Sequence, residues 1–314
     1  MTLLRKLAIA AALVLFAAAP ACAADKLTVL LDWFVNPDHA PLVVAKERGY
    51  FKAEGLDVDL IAPSDPSAGP RMVAAKQADV AVYYQPNLYM DVQGGLPLVR
   101  FGTLVAAPLD TLIVMKDGPI HSVADLKGKK IGYSVTGFQD AVLAGMLKVA
   151  GLSLNDVKLV NINFSITPPL ISGQVDATIG GYRTFELIQM KLEGHEGRAI
   201  FPEENGVPPY DELIFVARKD AIGDKRLPRF LDAVEKATLW MTNHPEQGWA
   251  TFTKAYPNLN DKLNRTAYFA TIPYFAKRPF ALDHHRYAEF ADFMEKHGLI
   301  KPGHSVSDFA VELK

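Results

Sequence analysis

The segment that follows the first apolar run of the sequence carries an unusual group of chemically active side chains. The run Leu27–Leu31 is typical of a buried strand, and directly after it come Asp32, Trp33, Asn36 and His39. An indole offers a flat apolar face, whereas carboxylate, amide and imidazole groups offer hydrogen bonds. The segment is therefore a candidate ligand-binding site.

Further candidate ligand-binding residues lie at the ends of other predicted strands. Tyr83, Tyr84 and Gln85 end the strand that begins at Asp79, and Thr136 lies in a strand-to-helix turn. Open α/β sheets bind ligands beyond the carboxyl ends of their strands, so these residues are expected to face the same site. Tyr210, which precedes a later strand, is expected to close over the ligand.

Catalytic and metal-binding patterns are missing from the sequence. It has no His-x-x-x-His pair, no calcium-binding loop and no G-x-S-x-G nucleophile turn. A lone histidine ahead of a helix, such as His39, is more often a capping residue than a metal ligand. We therefore predict no catalytic residue, no metal and no cofactor.

The composition and the N-terminal segment indicate an exported protein. Basic and acidic residues nearly balance, at 33 and 35, which argues against nucleic acid as a partner.

The N-terminal segment has the pattern of a secretory signal: Arg5 and Lys6, then the apolar run Leu7–Ala19, then small residues up to Ala23. We therefore predict cleavage after Ala23 and a periplasmic location. The alternative is a lipoprotein in which Cys22, the only cysteine, carries the lipid.

Strand and helix patterns alternate along the chain, which favours an α/β fold with mainly parallel sheets. A length of 314 residues exceeds what one core usually serves, so two lobes are expected. Two similar segments, residues 110–118 and 211–220, are expected to enter and leave one lobe as a two-strand hinge. The predicted organisation is a signal peptide at 1–23, a discontinuous lobe I at 24–109 and 215–314, and lobe II at 110–214.

With these elements assigned, the chain resembles a known family. The stretch LDWFVNPDHAPLVVAKERGYFKAEGLDVDL, together with KGKKIGY and the closing HGLIKPGHSVSDF, resembles ThiY-type substrate-binding proteins of ABC importers, which are related to the fungal thiamine-pyrimidine synthase. The resemblance implies a type II periplasmic binding protein fold with a ligand cleft between its two α/β lobes. It also implies a monomer that hands its ligand to an ABC permease and the associated ATPase.

The resemblance implies specific ligand contacts. An aminopyrimidine ring would lie against Trp33 and Tyr182, with Asp32 and Glu186 at its edge; Tyr182 and Glu186 are expected on one face of the helix that opens at GGYRTFEL. Asp32 stands where the family leads us to expect an amide. Each residue also has a structural interpretation: Trp33 as core, Tyr182 as the cap of an apolar layer, and Glu186 as a solvated acid.

The function favoured by the sequence is a periplasmic receptor for hydroxymethylpyrimidine or formylaminomethylpyrimidine. One alternative is the same receptor fold with a riboflavin-like heterocycle, a small sulfonate or nitrate as ligand. Another is a pyrimidine-precursor synthase, and the resemblance argues against it. Tyr83 and Asn87 stand at the places of the synthase's cofactor lysine and donor histidine, and its clustered cysteines are missing.

Overall fold

A computed structural model of the protein describes residues 24–137 and 139–313. The predicted signal peptide, its cleavage site and Cys22 lie outside the described residues. Within them the chain forms two five-stranded sheets flanked by helices, so the predicted α/β class is confirmed.

The first sheet has the strand order β2-β1-β3-β10-β4. Strands β1 to β3 run parallel, whereas β10 is antiparallel to both of its neighbours. Its strands are β1 (Asp25–Leu30), β2 (Leu56–Ile61), β3 (Val80–Tyr83), β4 (Leu98–Val105) and β10 (Leu213–Arg218). The central strand β3 and the edge strand β4 are both buried throughout.

The second sheet repeats this arrangement with the order β7-β6-β8-β5-β9. Strand β5 is antiparallel to both of its neighbours, whereas β6 to β8 are parallel. Its strands are β5 (Asp110–Met115), β6 (Lys130–Tyr133), β7 (Lys158–Asn161), β8 (Ala177–Tyr182) and β9 (Gly197–Ile200).

Helices cover both sheets, and most of them follow the apolar spacing of the sequence. Gly49 ends the first helix with φ +74°, the left-handed conformation expected of a glycine cap. The α-helices are α1 (Ala40–Glu47), α2 (Tyr50–Ala53), α3 (Gly69–Ala74), α4 (Gln85–Gln93), α5 (Ala144–Val149), α6 (Thr167–Ile171), α7 (Glu186–Leu192), α8 (Arg226–Asn243), α9 (Pro245–Ala255), α10 (Lys262–Thr271), α11 (His284–Lys296) and α12 (Val306–Phe309). A π-helical turn, Gln139–Leu143, leads into α5.

The chain passes between the two sheets in two segments, 106–109 and 201–212, which we call the crossing segments. The first joins β4 to β5 and the second joins β9 to β10. The lobe boundaries at 109/110 and 214/215 stay a prediction, although β10 pairs with the first sheet from Leu213 onward. Among the described residues, no helix combines the length and the apolar character that a membrane span requires.

Candidate functional site

A cleft between the two sheets contains about 610 Å³ of empty space, part of it open to solvent. The cleft gathers residues from both sheets and from a crossing segment. Six of the residues predicted from the sequence line it: Asp32, Trp33, Asn36, Tyr84, Tyr182 and Glu186.

The wall from the first sheet is built on the carboxyl end of β1. Asp32 follows that strand, and its side chain is buried and held by two hydrogen bonds. His39 Nε2 lies 2.8 Å from Asp32 Oδ1, and the Tyr84 hydroxyl donates to Asp32 Oδ2 at 2.9 Å. Asp32 therefore faces the cleft in a fixed orientation.

His39 lies behind this wall and does not line the cleft. It is fully buried, in the short turn Pro37–His39 that Asn36 caps through a bond from the Asp38 N–H to Asn36 Oδ1. The Asn36 N–H donates to His39 Nδ1 at 3.3 Å, which leaves the ring proton on Nε2 to donate to Asp32. The role of His39 is to position Asp32.

The wall from the second sheet differs from the expected single helix face. Tyr182 is the last residue of β8 and Glu186 is the first residue of α7, so the prediction that both lie on one helix is wrong. The apolar run continues as strand through Tyr182 because it pairs with Asp110 of β5. The two residues still meet, since the Tyr182 N–H donates to Glu186 Oε2 at 2.6 Å.

An aromatic contact joins the two sides of the cleft. The Trp33 ring, from the first-sheet side, meets the Phe164 ring, from the loop after β7, edge-on with centroids 4.6 Å apart. Phe34 lies 6.0 Å from the same ring and is 45% exposed. Elsewhere on the rim, the Asn87 side chain donates to the Thr136 carbonyl at 3.1 Å. The two sides of the cleft thus touch.

Four acids line the cleft, and none of the described lining residues is Lys, Arg or His. Burial raises the pKa of Glu186 to about 8, that of Glu212 to about 7 and that of Asp38 to about 6. At neutral pH, Glu186 is therefore mostly protonated and can both donate and accept a hydrogen bond. Such a cleft favours a neutral or cationic ligand over an anion.

Four other predicted residues do not line the cleft. The Tyr83 hydroxyl donates to Asp91 Oδ2 at 2.6 Å, and Gln85 Oε1 accepts the N–H of Asp211 at 2.7 Å. Tyr210 is fully buried, and its ring packs against Phe290. Thr136 is exposed at the rim, where its N–H donates to Ser67 Oγ.

Several lining residues are not among the individually predicted ligand contacts, although three of them belong to segments that the sequence placed at the cleft: Phe34, Asp38, Tyr133, Phe185 and Glu212. Asp38 and Phe34 belong to the same segment as Asp32, so the local composition contained a signal for them. The sequence contained no local signal for Glu212, because its position in the cleft depends on how the crossing segment 201–212 runs between the two sheets. Among the described residues, no group of three or more His, Cys, Asp or Glu side chains could hold a metal ion.

The raised pKa of Glu186 predicts that the ligand-free protein loses stability as the pH rises. The folded state retains a proton that an unfolded glutamate, with a pKa near 4.5, has released. Stabilisation that is complete below pH 4.5 is therefore lost as the pH rises towards 8. The unfolding free energy of the wild-type protein should fall between pH 5 and pH 8. In Glu186→Gln we expect this fall to be smaller by on the order of 2 kcal/mol, measured by urea denaturation.

A matched control is Glu196→Gln, which changes an exposed glutamate whose pKa is lowered by a hydrogen bond from Lys116. This variant should keep the pH dependence of the wild-type protein. An unchanged pH dependence in Glu186→Gln would contradict the assigned protonation of Glu186.

Comparison with known proteins places these features in context. The family model described as NMT1/THI5 like matches residues 36–248. A Haemophilus influenzae protein named for thiamine biosynthesis is 48% identical over 296 residues, which is 94% of each chain. The formylaminopyrimidine-binding protein of Halalkalibacterium halodurans is 32% identical over 227 residues, covering 72% of this chain and 69% of that protein. A Legionella pneumophila protein named 4-amino-5-hydroxymethyl-2-methylpyrimidine phosphate synthase is 25% identical, covering 87% and 89%.

Solved structures show the same fold at low sequence identity. The alkanesulfonate-binding protein SsuA from Xanthomonas axonopodis pv. citri matches with a TM-score of 0.69 and 16% identity, over 91% of this chain and 98% of that one. A Candida albicans protein described as having the generic periplasmic binding protein fold matches with a TM-score of 0.71 and 16% identity, over 92% and 96%. The predicted periplasmic binding protein fold is confirmed.

Proposed function

Because the chain belongs to the NMT1/THI5-like family, we propose that it is a periplasmic receptor of an ABC importer and binds an aminopyrimidine precursor of thiamine. The observation that carries the proposal is the character of the cleft, which combines aromatic side chains with four acids and, among its described lining residues, no basic side chain. The name of the Halalkalibacterium halodurans relative supports the choice of a pyrimidine.

The geometry suggests a role for each wall. Trp33 supplies a flat face on which the ring stacks. An aminopyrimidine carries a ring nitrogen that accepts and an adjacent amino group that donates. Because its pKa is about 8, Glu186 is mostly protonated at neutral pH. It can then donate its O–H to the ring nitrogen and accept a hydrogen bond from the amino group. If the ring takes the proton instead, the same pair becomes a charge-assisted contact.

The anionic ligands named as alternatives fit this cleft less well. A sulfonate or nitrate needs N–H donors or cationic side chains, whereas the acids here would repel it. The likeness to the alkanesulfonate-binding protein is a likeness of fold alone, at 16% identity.

We also propose that the protein is not an enzyme. Relatives named as synthases are 25% identical or slightly more. The residues at the places of the synthase's lysine and histidine, Tyr83 and Asn87, are engaged in hydrogen bonds to Asp91 and to the Thr136 carbonyl. In this proposal the ligand leaves unchanged, passed as a small molecule from a monomeric receptor to the permease.

A thermal-shift panel tests the proposed function. The purified protein is heated with hydroxymethylpyrimidine, formylaminomethylpyrimidine, thiamine, riboflavin, taurine or nitrate. A ligand at about 100 times its Kd stabilises the fold by roughly 2.7 kcal/mol, which gives a clear rise in Tm. We expect this rise with a pyrimidine and none with taurine or nitrate. A rise with taurine or nitrate alone would overturn the proposal.

A further inference from the structure

Glu212 is a buried acid of the cleft to which neither the sequence nor the proposed function assigns a task. It is the last residue of the second crossing segment, directly before β10, and it is fully buried while lining the cleft.

Only one of its two carboxyl oxygens has donors. Glu212 Oε2 accepts the N–H groups of Leu109 and Asp110, at 2.7 and 2.8 Å, from the other crossing segment. Glu212 Oε1 has no hydrogen-bond partner among the described residues. Buried carboxyl oxygens without partners are rare and costly, so this oxygen calls for a donor from elsewhere.

The neighbours of Glu212 do not supply that donor. The Arg183 guanidinium donates to Glu203 and to the Asp110 carbonyl. The Asp110 side chain makes no hydrogen bond to this oxygen either: its Oδ1 accepts the Gly180 N–H, its Oδ2 has no partner among the described residues, and burial raises its pKa well above the usual range. Burial likewise raises the pKa of Glu212 to about 7, although the N–H groups of Asp110 and Leu109 and the charge of Arg183 act to lower it. A hydrogen-bond donor or a positive charge at Glu212 Oε1 would stabilise this buried carboxylate beside the other acids.

We propose that Glu212 is a ligand-binding residue whose free oxygen accepts a hydrogen bond from the polar substituent of the pyrimidine, so that the site selects ligands bearing an N–H or O–H donor there. The inference rests on the proposed function, in which Glu186 takes the aminopyrimidine edge. Glu212 then recognises the group attached to the ring. An ammonium group is the strongest partner, because its bond to a carboxylate is charge-assisted.

The test compares two probes that differ only in that group: 4-amino-5-aminomethyl-2-methylpyrimidine and 4-amino-2,5-dimethylpyrimidine. By isothermal titration calorimetry at pH 7.5, we expect the wild-type protein to bind the aminomethyl probe at least roughly 10-fold more tightly. In Glu212→Gln the side-chain carbonyl can still accept from Leu109 and Asp110, while an NH2 group faces the ligand. This variant should lose about 10-fold or more for the aminomethyl probe and little for the dimethyl probe.

The matched control is Asp110→Asn, which replaces the adjacent buried acid outside the cleft lining and should keep the preference for the aminomethyl probe. Equal losses for both probes in Glu212→Gln would indicate a structural role and overturn the inference. So would equal affinities in the wild-type protein, a measurement that does not depend on the folding of any variant. If neither probe binds the wild-type protein, the proposed function fails as well.

Discussion

Replacing Trp33 with alanine is expected to weaken binding of the pyrimidine that stabilises the wild-type protein by roughly 100-fold. Stacking of a base on an aromatic side chain contributes about 1–3 kcal/mol by alanine substitution. The substitution also removes the contact between Trp33 and Phe164, which joins the two sides of the cleft at 4.6 Å. The loss of stacking and the loss of the Phe164 contact both destabilise the closed, ligand-bound state. The loss of binding free energy should therefore lie near the upper end of the range of about 1–3 kcal/mol. Isothermal titration calorimetry measures it directly.

The control for this variant is Trp240→Ala. Trp240 lies outside the cleft lining and stacks against the His244 ring, with the Arg48 guanidinium 3.7 Å from its ring centroid. Its loss should lower stability slightly and leave the Kd unchanged. Trp33→Phe keeps an aromatic face and should recover most of the affinity. A Trp33→Ala protein that melts normally and binds with wild-type affinity would remove Trp33 from the site.

The parts of the site that could be predicted from the sequence are those in which neighbours in the chain are neighbours in space. Asp32, Trp33 and Asn36 lie within a few residues of the end of β1, and a strand end delivers all of them to the same cleft. Their mixture of residue types was therefore a direct signal. The same reasoning located Tyr84 at the end of β3.

The alternation of strand side chains explains one difference between prediction and structure. Tyr83 and Tyr84 were predicted together, yet successive residues of an extended chain point to opposite faces. Tyr84 faces the cleft and donates to Asp32, while Tyr83 points away and donates to Asp91. A strict use of this rule would have separated the two from the sequence alone.

Other features depend on pairing between distant segments and could not be obtained from local pattern. Glu212 reaches the cleft because its segment crosses beside residues 109 and 110, about a hundred positions earlier in the chain. Tyr182 belongs to a strand rather than a helix because Asp110 pairs with it. Tertiary context of this kind overrides local helical spacing.

Replacing His39 with leucine is expected to lower the unfolding free energy by about 3 kcal/mol and to weaken ligand binding as well. The leucine fills much of the ring's volume but donates no hydrogen bond to Asp32, which keeps only the bond from Tyr84. Removing the partner of a buried hydrogen-bonded group costs about 1–3 kcal/mol, and more where that group is an acid. Urea denaturation measures the first effect and calorimetry the second.

His304→Leu provides the matched control. His304 Nδ1 lies 3.9 Å from Asp308 Oδ2 at a half-exposed position, and exposed pairs of this kind contribute less than about 1 kcal/mol. Its ring packs near Phe309, a contact that leucine can retain. This variant should keep nearly all of the stability and bind ligand as the wild-type protein does.

Two further variants separate the hydrogen bond from the packing of the ring. His39→Gln carries a side-chain NH2 that can donate to Asp32, so it should recover part of both losses. Adding Asp32→Asn to His39→Leu should cost much less than the sum of the single changes, because the two residues act as one unit. Additive effects in this cycle would mean that Asp32 is held by its surroundings without His39, and that the imidazole contributes only volume to the core.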